Sequence, residues 1–276
     1  MSFPSKIITM VLLMSIVIQQ SFAEIREIKT ISSLLEYIKH TNPSDTLVAF
    51  DIDYVLIIPE DFYSMNRNPD RKKIWSQLKK EISHDEARLL HSIVTANAKW
   101  KIVEPEIIDI FSYLKNAKFK TIGLTSLGTG QLGIIQNRED LRLKELQSVG
   151  LDFLQLEGFK DYVVLDNLKT DDGVPMLKHG IIFTSEQDKA TILELILEYK
   201  GYYPKKIIFI DDIKENLLSV ENLCKKLNID FTGFHYTAVS QMPSLETEEE
   251  IERVRFKILR KQGKWFSDEE IKEISN

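Results

Sequence analysis

Apolar residues fall in two kinds of run along this chain. Leu47-Val48-Ala49-Phe50 and Ile207-Ile208-Phe209-Ile210 are continuous, and Thr121-Ile122-Gly123-Leu124-Thr125-Ser126 is nearly so. Runs without polar alternation suit strands buried on both faces, as in a parallel sheet with helices above and below. Between them, apolar positions recur at helical spacing. Glu104-Pro105 begins one such stretch, with Ile107, Ile108, Phe111 and Leu114 as its stripe, and Leu217, Val220 and Leu223 mark another. A helix from Lys189 to Lys200 is stopped by Gly201, and a further strand is expected near Phe231 to Tyr236. Strands alternating with helices predict an α/β fold, a doubly wound parallel sheet.

Other segments fill in around that frame. Pro59 to Lys101 reads as an all-helical insertion. Asn68-Pro69 starts a helix with Ile74, Leu78 and Ile82 on one face; Ser83 and Glu86 cap the next, which turns Leu90 and Val94 inward. Ser33 and Glu36 have capping-box spacing ahead of a short helix ending near His40. Gly128, Gly130 and Gly133 lead to a helix from Arg138 to Val149, and residues 151–184 read as short strands joined by a turn at Asp171-Asp172-Gly173. The tail holds two helices, the second opened by a capping box and staple at Phe266, Ser267, Glu270 and Ile271. The expected division is a core of residues 24–58 and 104–245, an insertion of 59–103, and C-terminal helices, 246–276, packing on the core.

The first 23 residues stand apart. Lys6, a largely apolar run from Ile7 to Ile18, and Ser21-Phe22-Ala23 match a secretory signal cut after Ala23. The run is too short to span a bilayer, which takes about 20 residues, so no stable membrane anchor is expected after cleavage. The exported chain would be periplasmic or secreted. Its loss removes Lys6 and no acid, so a net charge of −6 becomes −7. That balance gives no electrostatic attraction to nucleic acid or to an anionic membrane. The single cysteine, Cys224, has no disulfide partner, so the core alone must hold the fold.

The candidate chemistry sits where strands end. Asp51 and Asp53 follow the first apolar run, Thr125 and Ser126 end the second, Lys189 opens a helix, and Asp211 and Asp212 end another strand. Ligands in open α/β sheets bind beyond the carboxyl ends of strands, and close carboxylates resist sharing a site unless a cation or proton lies between them. Side chains at i and i+2 of an extended chain point the same way, so Asp51 and Asp53 should converge. A lysine in a helix's first turn opposes the helix dipole, which favours a purpose for Lys189. Asp212 could instead cap the following helix, and Asn216 could orient one of the acids. The five histidines lack metal-ligand spacing. The basic residues of the insertion (Arg71, Lys72, Lys73, Lys79, Lys80 and Arg88) read first as a solvated face and second as a steering surface for an anion.

Taken in order, Asp-x-Asp, Thr, Lys and Asp-Asp over residues 46–236 resemble the haloacid-dehalogenase-like (HAD) superfamily, most of whose members are phosphatases. The leader, Gly180-Ile181-Ile182-Phe183-Thr184 ahead of the lysine, and the tail from Gly263 to Glu270 resemble an exported subgroup from intracellular bacteria, catalogued as a domain of unknown function. The resemblance implies a HAD-like doubly wound sheet with a small helical cap and a phosphatase working through an aspartyl-phosphate. Asp51 would be the nucleophile and Asp53 the general acid and base. Thr125, with Ser126, and Lys189 would hold the phosphoryl group. Mg2+ would be bound by Asp51, the Asp53 backbone carbonyl, Asp211 and Asp212. The substrate would be a phosphorylated small molecule or phosphopeptide, chosen by residues 59–103 and the 155–184 hairpin. Tyr54 departs from the small residue common after the first acid pair's second member, and would narrow the mouth of the site. The alternative is a non-catalytic HAD-fold binding protein or host-directed effector. A bacterial receiver domain fits worse, because there the acidic pair comes first and no signal peptide is expected.

Overall fold

The computed structural model describes residues 22–61, 69–242 and 249–275. The expected signal lies outside them except for Phe22 and Ala23, and Asn68 also lies outside.

The central strand is β2 (Thr46–Phe50), fully buried. It pairs in parallel with β9 (Lys206–Asp211) on one side and β5 (Lys120–Thr125) on the other, Val48 facing Ile208 and Thr121. Beyond β9 lie β10 (Asp230–Tyr236) and β1 (Ala23–Ile28), both parallel. Beyond β5 come β8 (Ile181–Phe183), parallel, then β7 (Met176–Lys178) and β6 (Val163–Val164), antiparallel. Successive residues of a strand face opposite ways, and the two faces divide accordingly. Val48, Phe50, Ile208 and Ile210 pack with α1 (Ser32–Lys39), α4 (Glu106–Asn116) and α5 (Arg138–Ser148). Leu47, Ala49, Ile207 and Phe209 pack with α6 (Lys189–Lys200) and α7 (Lys214–Leu227). The sheet is doubly wound and mainly parallel, as the continuous apolar runs require.

Several local expectations change. The strand β1 was not foreseen: Glu24, Arg26 and Glu27 give it a polar edge-strand composition rather than an apolar run. Helix α1 starts two residues early, with Ile31 rather than Ser33 at its N-cap and no side-chain cap. Burial of Ile31, Leu34 and Ile38 sets that frame, and the Glu104 carboxylate accepts from the Ile31 amide at 2.9 Å. In α4 the buried stripe is Ile107, Ile110, Phe111 and Leu114, while Ile108 is exposed, because positions three and four apart share a helix face. The insertion is not wholly helical. Its root is an antiparallel ribbon of β3 (Ile57–Pro59) and β4 (Trp100–Ile102), strands too short to show a period. Above the ribbon stand α2 (Pro69–Glu81) and α3 (His84–Asn97), the latter capped by Ser83 accepting from the Glu86 amide at 3.1 Å.

The tail differs most from expectation. Helices α8 (Glu249–Gln262) and α9 (Asp268–Ser275) were expected on the sheet core. Instead Phe256, Leu259 and Trp265 join Ile74, Leu90, Ile93 and Val94 of the insertion in one cluster, separate from both sheet-face clusters. Polar contacts follow the same route: Lys73 to Glu249 at 2.6 Å, Arg253 to Gln77 at 3.1 Å and Arg260 to Glu86 at 3.3 Å. The capping box at Ser267 and Glu270 forms reciprocally, at 3.3 and 2.7 Å. The tail is therefore a brace for the insertion. Leu259 is fully buried in that brace, so Leu259→Ala is expected to cost about 2–5 kcal/mol of unfolding free energy. Equilibrium urea unfolding measures this; a loss below about 1 kcal/mol would contradict the packing.

Candidate functional site

The strand ends bring the acids together. Pairing of β2 with β9 continues one residue past the strand, the Asp51 amide donating to the Ile210 carbonyl at 2.9 Å. Asp51 thus stands beside Asp211, the last residue of β9. Lys189, first residue of α6, reaches between them: its Nζ lies 2.9 Å from Asp51 Oδ1 and 2.7 Å from Asp211 Oδ2. Lys189 is 2% exposed and Asp211 0%. Charges buried so deeply persist only when paired. Helix α6 is anchored by Asp188, which accepts from the Thr191 amide at 2.8 Å and from the Ser219 hydroxyl at 2.5 Å.

Asp211 is held from the other side too. Its carboxylate accepts from the Ile213 amide at 2.8 Å and from Asn216 Nδ2 at 3.0 and 3.1 Å. Asn216 is thus the orienting group, and Asp211 rather than Asp212 bonds the backbone entering α7. The α7 N-cap is Ile213, with no side-chain cap, so Asp212 is free of that duty. Single carboxylate oxygens of Asp51, Asp211 and Asp212 all lie within 4.8 Å of one another. Three carboxylates against one ammonium leave an excess of negative charge that a hard divalent cation would neutralise. The donor set is all oxygen, which fits Mg2+.

Asp53 behaves differently from the expectation. The strand ends at Phe50, so the i, i+2 argument does not extend to it. Its carboxylate turns to Arg142 of α5, 3.0 Å away, and is not one of the three clustered carboxylates. Asp51 and Asp53 nevertheless border one cavity of ≈600 Å³ together with Thr125, Ser126 and Asp212. Thr125 is buried, its Oγ1 accepting from the Leu127 amide at 3.2 Å, and Ser126 is exposed at the rim. Tyr54 lies at φ 66°, in the left-handed region, which is uncommon for a bulky side chain. Its ring borders this cavity and a second of ≈480 Å³.

Arg142 and Glu145 are contributions that the sequence pattern did not reveal. Arg142 is buried, its guanidinium carbon 4.2 Å from the Trp100 ring centroid and its Nε 3.4 Å from Glu145. Both residues stand on the inner face of a helix whose overall sequence is strongly polar, Arg-Glu-Asp-Leu-Arg-Leu-Lys-Glu. No local signal separates these two charges from their solvated neighbours.

Burial dominates the site's ionisation. It pushes the Asp51 carboxyl well above the usual carboxylate range, opposed by Lys189 and reinforced by Asp211 and Asp212. Burial, then the charge of Asp211, lifts Asp212 to about 7, and burial lifts Glu145 to about 7. Burial also works against the Lys189 ammonium, but Asp51 and Asp211 outweigh it and its pKa stands above the usual value. A carboxyl whose pKa is higher folded than unfolded adds stability at low pH and loses it as pH rises through the folded value. For Asp212 and Glu145 the window runs from their ordinary 3.8 and 4.5 up to about 7. Without divalent cations, the protein is expected to gain stability on going from about pH 8 to about pH 5. Added Mg2+ should flatten the Asp212 part by favouring its charged form. Thermal unfolding at several pH values, with and without the cation, reads both; a maximum at pH 8 would contradict the assignment.

A protein-family profile described as "Protein of unknown function (DUF2608)" matches residues 27–272. An uncharacterized protein of Rickettsia prowazekii is 22% identical over 235 residues, 84% of each chain. A Chlamydia pneumoniae protein, provisionally named as an outer membrane protein, is 24% identical over 210 residues, 71% of this chain and 72% of its own. Among solved structures, a haloacid dehalogenase-like family hydrolase from Streptococcus pneumoniae overlaps 68% of this chain and 93% of its own, at 14% identity and a TM-score of 0.35. A HAD-superfamily hydrolase from Geobacter sulfurreducens overlaps 76% and 100%, at 14% identity and a TM-score of 0.34. Neither overlap is close enough to bear on function.

Proposed function

This chain belongs to the DUF2608 family, and we propose that it is an exported, Mg2+-dependent phosphatase that hydrolyses a phosphomonoester through an aspartyl-phosphate, as HAD-like enzymes do. The observation that carries the reading is the buried Asp51–Lys189–Asp211 bridge, with Asp212 alongside, at the end of the central strands. A purely structural ion triad at this place would be expensive to bury. A phosphoryl site needs these groups.

In the proposed reaction a carboxylate oxygen of Asp51 attacks phosphorus, and the bond from phosphorus to the leaving oxygen breaks. Asp53 gives that oxygen its proton. Water then attacks the acyl phosphate, giving its proton to Asp53, and phosphate leaves with Asp51 regenerated. Lys189 offsets charge on the phosphoryl oxygens, and the Thr125 hydroxyl donates to one of them. Asp51, Asp211 and Asp212 would hold Mg2+, whose contribution when bound is to neutralise phosphoryl charge and orient the group. Arg142 lies 3.0 Å from the Asp53 carboxylate, which borders the same cavity as Asp51.

An aryl phosphate is the probe of choice, since its leaving oxygen depends least on an acid. The mature protein is expected to release phosphate from 4-nitrophenyl phosphate with Mg2+ and to stop when the cation is chelated. Absence of any cation-dependent release would overturn the reading. The export half rests on the leader and agrees with the name of the Chlamydia relative. Amino-terminal sequencing of exported protein should begin at Glu24. The Asp53–Arg142 ion pair is also what a non-catalytic binding protein would display, and partner capture that survives loss of both Asp51 and Asp53 would favour that alternative.

A further inference from the structure

The second cavity, ≈480 Å³, opens on the same rim as the Asp51 cavity, since Asp53, Tyr54, Ser126 and Leu127 border both. Its other walls come from the insertion helices α2 and α3, from β4 and from α5. A volume of this order suits a small molecule rather than a folded partner. Two indoles, Trp75 and Trp100, and the His91 imidazole border it. Aromatic walls of this kind favour a flat ring over an aliphatic chain.

The cavity's charges are unequally committed. Arg138 is answered by Asp172 at 2.9 Å, and Arg142 by Asp53 at 3.0 Å. Two acids of the cavity remain: Glu145, 3.4 Å from Arg142 Nε, and Glu186, whose carboxyl the neighbouring Asp172 pushes above the usual range. Lys79 and Arg88 are left over. Neither forms an ion pair among the described residues: Arg88 donates only to the Gln131 carbonyl at 3.3 Å, and the Lys79 ammonium stands 5.8 Å from the Trp75 ring centroid. Neither borders the Asp51 cavity, so neither is placed to serve the reacting phosphoryl group. Their charge calls for a second anion, set beside a ring.

We infer that the insertion cavity binds the leaving group, and that the substrate is a small aromatic phosphomonoester carrying a second anionic group, a carboxylate or a further phosphate. This rests on the phosphatase reading and goes beyond it. The tail brace keeps the cavity shaped: Phe256 of α8 packs on Trp75, their ring centroids 5.8 Å apart.

Four probes test it on the mature protein with Mg2+: phenyl phosphate (ring alone), 3-phosphoglycerate (anion alone), and phenyl phosphates bearing a ring carboxylate or a ring phosphate, which separate the two sources of the anion. One or both doubly anionic ring probes are expected to exceed phenyl phosphate and phosphoglycerate about tenfold in kcat/KM, through KM. In a Lys79→Gln, Arg88→Gln double variant, the first residue exposed and the second half-buried, that preference should collapse to about twofold or less. Equal kcat/KM for ring probes with and without the second anion, or a preference that survives the double variant, overturns the inference while leaving the phosphatase reading intact. If no probe is hydrolysed the phosphatase reading falls, and binding decides the cavity assignment separately. Tryptophan fluorescence titrated with benzylphosphonate and with its ring-carboxylated analogue should show tighter binding of the latter; equal Kd values sink it.

Discussion

An Asp51→Asn protein is expected to fold and to lose about a thousandfold or more of the phosphate release of the native chain. The amide keeps the oxygen that accepts from the Ile52 amide at 2.8 Å. Lys189 keeps its other partner, Asp211, at 2.7 Å, so no buried ammonium is stranded. Burial already disfavours charge at position 51, and removing that charge relieves the cost of desolvating it. Stability should therefore change little or rise slightly, while the nucleophile is gone. Asp53→Asn should cost less, about a hundredfold, and less for aryl than for alkyl phosphates, because general acid help matters least with a good leaving group. Parallel thermal unfolding and phosphate assays separate these effects. Activity that persists in a folded Asp51→Asn protein would remove Asp51 from the chemistry.

What the sequence disclosed and what it withheld follow from how each feature is encoded. Leu47–Phe50 and Ile207–Ile210 announce buried strands because every side chain there must be apolar on both faces. Asp51, Asp211 and Lys189 are legible because each sits next to such a run or at a helix start, where topology alone fixes its neighbourhood. Asp53 is three residues past the last strand residue, in a turn whose geometry no periodicity specifies. Its partner Arg142 lies almost ninety positions away on a helix of mixed charge, so nothing local could have paired them. The tail shows the same limit. Its capping box at Ser267 is local and was foreseeable. Its docking on α2 and α3 instead of the sheet depends on which of several apolar faces is nearest in space, and amphipathic pattern says only that a face must be covered.

Lys189→Met is expected to be the most destabilising single change in the site. The ammonium is 2% exposed and sits 2.9 and 2.7 Å from two buried carboxylates, with Asp212 completing the acidic cluster. Methionine matches the stem's volume, so no cavity term arises, and the loss isolates the charge. Removing one partner of a buried ion pair costs about 3–5 kcal/mol, because the other partner is left uncompensated. Here the native lysine opposes the effect of burial on Asp51; without it Asp51 should bind a proton still more readily in the folded chain than in the unfolded one. Such groups stabilise below their unfolded pKa and withdraw that stability as pH rises through the folded value. The deficit relative to the native protein should therefore be largest at about pH 8 and shrink toward about pH 5. Mg2+ should shrink it too, since a cation that binds only the folded chain adds stability in proportion to the logarithm of its occupancy. Urea unfolding across this pH range, with and without the cation, gives all three quantities. A deficit under about 1 kcal/mol, or one that ignores both protons and Mg2+, would mean that Lys189 is not holding the two aspartates against each other's charge.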